Sequence, residues 1–459
     1  MMILQPLTNP DFRWLFLSQL VSLLGTGLAT VALALFAFDL NPLQAGMVLG
    51  AALAIKMVAY VTVAPIVGGY IHRLPRRGWL AGLNIGRAML VALLPLVTEV
   101  WHLFAIIFLL NVLAAGYTPV YQALLPDILP DEKDYTNALS LSRLAMEVES
   151  FVSPALAAML LIVVPYVALF ELNAAAFVLA AIAVLMAGIP TSQMSDRSGG
   201  VWQHISFGIR SYLKTPRLCG ALALNLALST AGAMIIVNTV VYVRGVLGLG
   251  DQQVPMLMIA AGAGSMIAAL LVPRLLQEYS VRSVMLTGGL GLSIALSCGM
   301  LMPGYSGLFP IWLLIGFASS LVLIPGGLVV RHSCRAQDRN DYFSANFALT
   351  HAMWFFAYLV AGWVGSHLSM TMAFAVMTLL ALLATALAFA IWPANDEAEI
   401  WHEHVAQEHQ HPHVHDEHHQ HNHQGWEGPE PHVHPHYHPR QRHRHRFVID
   451  EHHAHWPKQ

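Results

Sequence analysis

The sequence predicts an all-α polytopic membrane protein with twelve transmembrane helices in two six-helix halves, followed by a disordered C-terminal tail. Hydrophobic residues make up 56% of the 459 residues and charged residues only 11%, which is too apolar for a soluble protein of this length. The apolar runs before residue 394 are long enough to cross a bilayer as helices. Residues 394–459 are polar instead, and their low apolar content argues against a packed fold there.

Twelve apolar runs define the predicted spans, and a polar stretch separates the sixth from the seventh. This arrangement is typical of two transporter-like repeats. The predicted domains are an N-terminal six-helix half (1–189), a cytoplasmic linker (190–216), a C-terminal six-helix half (217–393) and the tail (394–459). The spans lie near residues 12–38, 45–70, 79–97, 103–121, 141–164, 167–189, 218–243, 254–272, 282–302, 308–330, 342–367 and 370–392.

Lysine and arginine residues predict the orientation of these spans. Outside the tail they concentrate in the loops of one side, whereas the loops of the other side hold only Arg244. The positive-inside rule then places both termini and the tail in the cytoplasm. The expected location is the inner (plasma) membrane of a bacterium. The linker residues 202–218 combine helical spacing of apolar residues with basic ones, which predicts a short amphipathic helix on the inner leaflet or a plain linker.

The tail contains most of the histidines, and many of them alternate with other residues. In an extended chain alternate side chains point the same way, so such runs offer several imidazoles to one ion. Neutral imidazole binds Ni²⁺, Co²⁺, Cu²⁺ and Zn²⁺. The alternative interpretation is a solvated polar tail that binds no metal. The candidate ligands are His402, His404, His409, His411, His413, His415, His418, His419, His421, His423, His432, His434, His436, His438, His443, His445, His452, His453 and His455.

Three segments resemble motifs of the major facilitator superfamily. GGYIHRLPRR at 68–77 is similar to the family's loop between spans 2 and 3, with His72 in place of the usual acid and Pro75 in place of the second glycine. PVYQALLPDILPDEKDYTNALSLSRL at 119–144 resembles the span 4–5 segment of its drug and siderophore exporters. SPALAA at 153–158 resembles the small-residue motif in span 5 of its proton-coupled exporters, where small residues let helices approach closely. With the histidine tail, the chain resembles the superfamily's nickel-resistance efflux proteins.

The resemblance implies which residues act in transport. The loop residues Gly68, His72, Arg73, Arg76 and Arg77 are the candidates for conformational coupling. Spans 2, 5, 8 and 11 line the seam between the halves in the family's fold, and spans 1, 4, 7 and 10 line the cavity. Polar residues within spans are costly in lipid and therefore indicate function. The candidate pathway residues are Lys56, Asn111, Glu147, Glu149 and His351.

Lys56, one of the two glutamates and His351 are expected to converge on the pathway. Glu147 and Glu149 are about 200° apart on a helix, so they should not face one ion together. Because burial disfavours a charged carboxylate, either glutamate is a candidate to carry a coupling proton. The structural alternative is an ion pair, either Lys56 with a glutamate or Arg143 with Glu147 one helical turn away.

Three functions agree with these features. The first is a secondary exporter of a divalent metal, foremost Ni²⁺, driven by proton antiport. The second is an exporter of a siderophore, drug or other organic solute whose tail buffers metal incidentally, and the third is a membrane-anchored protein for metal storage or sensing. The chain lacks the GxxxxGK[ST] phosphate loop, so we expect neither an enzyme nor ATP as energy source. The other expected partners are protons and the bilayer, with no nucleic acid, no required cofactor and a monomeric state.

Overall fold

A computed structural model describes the fold. It covers residues 2–40, 45–71, 74–190, 201–249, 253–395, 399–404, 407–413, 432–438, 441–446, 448–449 and 456. Every predicted span corresponds to a helix. The first six are α1 (Pro10–Leu40), α2 (Ala45–Ile71), α3 (Arg76–Leu93), α4 (Val100–Ile128), α5 (Glu132–Leu160) and α6 (Val167–Met186). A shorter helix, α7 (Val201–Lys214), precedes α8 (Pro216–Ala233), α9 (Gln253–Glu278), α10 (Val281–Gly299), α11 (Tyr305–His332), α12 (Arg339–His367) and α13 (Met370–Ile391).

Short irregular helices extend or join these elements. Met2–Thr8, Leu94–Leu96 and Ala336–Asp338 are 3₁₀-helical, and Met234–Asn238 and Val241–Val246 continue α8 with π-helical turns. Among the described residues, ten helical stretches are long and apolar enough to cross a membrane. The two other spans are α2, counted as the shorter apolar helix Ile55–Ile71, and α5, which carries several charged residues. The all-helical membrane fold is thus confirmed, while the domain boundaries stay a prediction.

Polar side chains fix where several spans begin. The carboxylate of Asp131 accepts a hydrogen bond from the Asp134 amide at the start of α5 (2.9 Å). The Ser280 and Ser369 hydroxyl oxygens accept in the same way at α10 and α13. Each cap satisfies an amide that the helix itself leaves unpaired. For this reason α5 begins well before the apolar run that starts at Leu141.

Two of the interhelical connections discussed below lie at one end of the bundle. We call it the basic end: α4 ends and α5 begins there (residues 128–132), and α11 ends and α12 begins there (residues 332–339). It carries loops that the sequence predicts to be cytoplasmic. Helix α7 lies at this end and packs against α2 and α12. His204 Nδ1 is 3.1 Å from Asp341 Oδ2, and the Tyr212 hydroxyl donates to Asn346 Oδ1 at 2.9 Å.

Helices α9 and α11 approach each other closely at two glycines. A Cβ atom added at Gly316 of α11 would overlap the backbone carbonyl of Ala261, and one added at Gly264 of α9 would overlap that of Leu313. Contact between helices in a membrane depends on such small residues, since lipid is as apolar as the side chains it replaces. These two glycines therefore allow the backbones of α9 and α11 to pack directly against each other.

The tail is where the structure differs from the sequence prediction. Parts of the predicted disordered segment form four strands, β1 (Glu399–His404), β2 (Gln407–His413), β3 (His432–His438) and β4 (Gln441–Arg446). β1 pairs with β4 and β2 with β3, both antiparallel. Alternating sequences suit an extended backbone, and the nested pairing gives that backbone hydrogen-bond partners without a packed core.

Candidate functional site

Lys56 and His351 meet at an aromatic cluster between α2 and α12. The Lys56 ammonium lies 5.5 Å from the centre of the Tyr60 ring. The Tyr60 ring packs edge-on against His351 (4.8 Å between centres) and tilted against Phe347 (5.0 Å). Because α2 belongs to the first six spans and α12 to the last six, this cluster lies on the boundary between them.

The hydrogen bond of His351 fixes which ring nitrogen is available. Nδ1 lies 2.7 Å from the backbone carbonyl of Phe347. A carbonyl oxygen only accepts, so Nδ1 carries the hydrogen and donates it. In the neutral ring Nε2 then keeps a lone pair for a ligand.

Glu149 of α5 borders the same region. The positive charge of Lys56 acts on both Glu149 and His351. The Glu149 side chain is half-buried and packs close to Gly27 of α1, where an added Cβ would lie 3.3 Å from Glu149 Cγ. Among the described contacts Glu149 has neither a hydrogen bond nor a salt bridge. A Cβ added at Gly27 would also overlap the side chain of buried Ser153. This contact agrees with the close helix approach expected from the SPALAA motif.

Glu147, two residues earlier, has a different environment. Its carboxylate forms a salt bridge with Arg143 (2.5 Å) and accepts a hydrogen bond from Ser265 of α9 (2.8 Å). Arg143 Nε in turn donates to the Ser265 and Ser320 hydroxyl oxygens at 2.9 and 3.3 Å. Glu147 is buried and fully partnered, as in the structural ion pair that the one-turn spacing predicted. The group joins α5 to α9 and α11, and therefore the first six spans to the last six.

Asn111 does not join either cluster among the described contacts. Its side-chain amide donates to the Ile107 carbonyl of its own helix, α4, at 2.7 Å. That bond satisfies a polar group within the membrane. A role for Asn111 in a pathway stays a prediction.

The loop predicted for conformational coupling lies at the basic end. His72 and Arg73 lie outside the described residues, and Arg77 is exposed. Gly68 faces α12, since a Cβ added there would lie 2.6 Å from the Ser344 hydroxyl oxygen. Arg76 is buried and donates to Asp127 Oδ2 of α4 at 2.6 Å.

Asp127 also joins the two groups of spans. Its other carboxylate oxygen accepts a hydrogen bond from Arg339, at the start of α12. One carboxylate is therefore shared by a guanidinium from the first six spans and one from the last six. His72 stands where the family's loop usually has an acid, and Asp127 of α4 places a carboxylate between the two halves.

Further contacts cross the same boundary at the basic end. His332 Nε2 lies 2.8 Å from Glu132 Oε2, and Arg331 donates to the Pro130 carbonyl. The Arg331 guanidinium also lies 5.0 Å from the centre of the Tyr135 ring. These contacts join α5 and the loop before it to the end of α11 at the basic end.

No described group of three or more His, Cys, Asp or Glu side chains is arranged to hold a metal ion. The tail strands are described at the level of their backbone pairing, and His415, His418, His419, His421, His423, His452, His453 and His455 lie outside the described residues. Metal binding by the tail stays a prediction at this point.

Sequence reasoning missed several residues of these clusters. The missed residues are not charged or imidazole side chains within a predicted span, which is what made Lys56 and His351 candidates. They are Asp127, Ser265, Ser320 and Arg339. Their partners are far apart in the chain, 118 residues for Glu147 and Ser265 and 212 for Asp127 and Arg339. For Asp127, the sequence did contain a signal: it lies in the segment 119–144 that resembles a family motif.

The comparison with protein families agrees with this arrangement of twelve spans. A sequence model of the Major Facilitator Superfamily matches residues 15–250 and 222–423. The chain belongs to the major facilitator superfamily. It is therefore a multi-pass membrane protein of the major facilitator fold, and its polar clusters lie where the two six-span halves meet.

Sequence relatives match part of this major facilitator chain. Macrolide efflux protein A of Streptococcus pyogenes is 24% identical over 191 residues, 40% of this chain and 46% of the relative. Macrolide efflux protein A of Enterococcus faecalis is 25% identical over 159 residues, 32% of this chain and 48% of the relative. The chain spans about half the length of the curated relatives it matches.

Solved structures share the fold at low sequence identity. The human organic anion transporter MFSD10 (TETRAN) superimposes with a TM-score of 0.72 at 14% identity, covering 83% of this chain and 99% of that one. A bacterial homologue of the iron transporter ferroportin in an outward-facing state gives 0.66 at 16% identity, covering 83% and 98%. At these identities the likeness establishes the fold alone.

Proposed function

We propose that this major facilitator protein is a secondary exporter of a divalent metal cation, foremost Ni²⁺, with Co²⁺ and Zn²⁺ as further candidates. It works in the bacterial inner membrane with both termini in the cytoplasm, and proton antiport drives it. Export is supported by the macrolide efflux relatives. Family membership also favours transport over the third function considered, an anchored storage or sensing protein.

The metal part of the proposal rests on one observation, the histidine tail. Nineteen of the 25 histidines follow residue 401. If the basic end is cytoplasmic, the tail gathers ions on the side from which an exporter takes its substrate. The resemblance to nickel-resistance efflux proteins points the same way.

Within the spans, Glu149 is the better candidate for the coupling proton. Glu147 already has Arg143 and Ser265 as partners, so protonation would leave the Arg143 charge unbalanced inside the membrane. Glu149 is open, and Lys56 and His351 Nε2 lie in the same region. In the proposed cycle a cation and a proton compete for this region, and the Asp127 and Glu132 contacts at the basic end break to admit the cation.

An organic solute is the second candidate substrate, and two observations favour it. The central cluster is aromatic, with Tyr60, Phe347 and His351 in mutual contact, and aromatic surfaces suit apolar solutes. The described side chains also hold no group of three metal ligands. In this case the tail buffers metal incidentally.

Radioactive nickel release from preloaded cells tests the proposal. Cells with the full chain should release nickel faster than cells with empty vector, and a protonophore should abolish the difference. Glu149→Gln should remove the proton-dependent part, while Glu171→Gln, an exposed glutamate on α6, is the matched control. Equal nickel release from both strains, together with export of a macrolide or an aromatic dye, would replace the metal with an organic substrate.

A substitution of His351 distinguishes a metal substrate from an organic one. Asparagine retains an amide that can donate to the Phe347 carbonyl but removes Nε2. If Nε2 binds the passing metal, His351→Asn should slow nickel release by about tenfold or more, as the loss of a metal-site group commonly does. Unchanged nickel release in this variant would mean that His351 packs without touching the substrate.

A further inference from the structure

A buried arginine lies near the middle of the first six spans. Arg87 stands about 16 Å along α3 from its start at Arg76, measured by the helical rise per residue, and a hydrocarbon core is about twice as thick. Its guanidinium carbon lies 4.8 Å from the centre of the Tyr117 ring of α4 and 5.6 Å from the centre of the Phe177 ring of α6. An ionised side chain at this depth is costly and therefore indicates function.

No acidic side chain among the described residues balances the charge of Arg87. The described side chains that act on it electrostatically are Tyr117 and Tyr60, and a phenol is neutral near pH 7. One guanidinium nitrogen donates to the Leu113 carbonyl at 3.2 Å. A guanidinium keeps its proton in proteins, and a buried charge without a counter-charge is strongly destabilising. A negative charge bound beside Arg87 would therefore stabilise the fold.

Polar atoms around Arg87 also lack hydrogen-bond partners among the described residues. They are Arg87 Nε, both amide atoms of Asn84, the Tyr117 hydroxyl and Asn173 Oδ1. Asn84 lies one helical turn before Arg87 on α3, and its side chain lies beside the Tyr117 hydroxyl. These four residues are called the Arg87 cluster here. Buried polar groups are rarely left unpaired in native proteins, and a bound ion or water is the usual explanation.

The Arg87 cluster is enclosed by four helices. Asn84 is fully buried, while Asn173 is 2% and Arg87 8% exposed. Asn173 lies one turn from Phe177 on α6, and a Cβ added at Gly25 of α1 would lie only 2.6 Å from Asn173 Oδ1. Helix α1 thus approaches α6 closely at this level, and α3 packs against both α4 and α6. Such burial admits a small ion and excludes a bulky organic one.

The donors of the Arg87 cluster select an anion. Arg87 Nε and Asn84 Nδ2 carry N–H hydrogens, and the Tyr117 hydroxyl can donate as well. A metal cation would be repelled by the guanidinium. Water would complete the hydrogen bonds but would not offset the charge, whereas a small anion does both, and hydrogen bonds to a charged acceptor are the stronger kind.

From these contacts we infer a binding site for a small monovalent inorganic anion of the chloride class, held by Arg87, Asn84 and Tyr117 within the first six spans. The site is distinct from the Lys56 and His351 cluster, although Tyr60 acts electrostatically on Arg87 and also faces Lys56. The inference goes beyond the proposed function and does not depend on it, since the anion balances Arg87 whichever solute is exported.

Thermal unfolding of the purified full chain in detergent tests the site. At constant ionic strength, replacing gluconate with chloride should raise the unfolding midpoint by about 2 °C or more, because a ligand that binds the folded state stabilises it. Gluconate is the reference anion because it is too large for a buried site of this kind. Equal midpoints in the two salts would overturn the inference.

Asn84→Asp distinguishes a bound anion from a general salt effect. It places a carboxylate at i,i+3 spacing from Arg87, where opposite charges pair, so the unfolding midpoint should no longer depend on chloride. Asn225→Asp is the matched control, at a buried asparagine of α8 whose amide donates to the Ala221 carbonyl at 3.1 Å. Its chloride dependence should match that of the native chain. Chloride dependence that persists in Asn84→Asp, or that disappears in both variants, would contradict the site.

Bromide gives a direct readout on the native chain, without any substitution. Crystals grown in bromide should show an anomalous scattering peak within hydrogen-bond distance of Arg87 Nε and Asn84 Nδ2, because bromide has the charge of chloride and nearly its size. A peak there supports the site. Density at the Arg87 cluster without an anomalous peak would mean that water completes these hydrogen bonds, and the inference would be wrong.

Discussion

Asp127 of α4 and Arg339 of α12 are bonded across the boundary between the first six and the last six spans. The same carboxylate holds Arg76, whose side chain is 2% exposed. Opening the basic end must separate Asp127 from at least one of these guanidinium groups. We expect the contact to act as a gate as well as a source of stability, and the two roles can be measured separately.

Asp127→Asn should open the basic end more often. Removing the shared acid leaves the Arg76 and Arg339 guanidinium groups without their counter-charge. The free energy of unfolding should fall by about 3 kcal/mol, because the ion pairs are mostly buried. A Tyr60→Cys reporter should then react several-fold faster with an impermeant maleimide in inside-out vesicles. Glu278→Gln, an exposed acid at the end of α9, is the control. Unchanged labelling and thermal stability would show that Asp127 does not hold this end closed.

Glu147 and Glu149 should respond differently to the same substitution. Glu147→Gln leaves Arg143 and Ser265 without the carboxylate that they share, so the free energy of unfolding should fall by about 3 kcal/mol. Glu149→Gln breaks no described bond and should leave stability within about 0.5 kcal/mol while abolishing proton-dependent transport. Thermal unfolding in detergent and proton flux in proteoliposomes give the two readouts. Loss of coupling in Glu147→Gln with coupling intact in Glu149→Gln would reverse the assignment.

Much of the helical framework could be predicted from the sequence, because span-length apolar runs have few other stable forms in a bilayer. The Arg143 and Glu147 ion pair could also be predicted, since i,i+4 spacing is a local rule. The partners of Asp127 could not, because they depend on how distant helices pack. The strands of the tail were missed because low apolar content indicates disorder, while register between segments is not visible in composition.

Gly316 should tolerate no larger residue. An alanine Cβ there would overlap the Ala261 carbonyl of α9, and backbone cannot move aside as a flexible side chain can. Gly316→Ala should lower the free energy of unfolding by about 1–3 kcal/mol through overpacking. Gly82→Ala, on the helix α3 with open space at its Cβ position, should be neutral or stabilise by up to about 1 kcal/mol. A comparison of unfolding midpoints in detergent tests both, and equal midpoints would contradict the close approach of α9 and α11.

Ile449 should control how firmly the tail is held against α12. Its side chain is buried and its carbonyl accepts from Tyr342, which lies three residues after Arg339 in α12. Ile449→Asp keeps every histidine but places a charge in an apolar contact, which is costly without a partner. The end of the tail should then detach from α12, and limited proteolysis should cleave residues 394–459 several-fold faster. Tyr279→Asp, an exposed aromatic residue at the end of α9, should leave cleavage unchanged. Equal cleavage in all three chains would mean that the tail is not anchored through this contact.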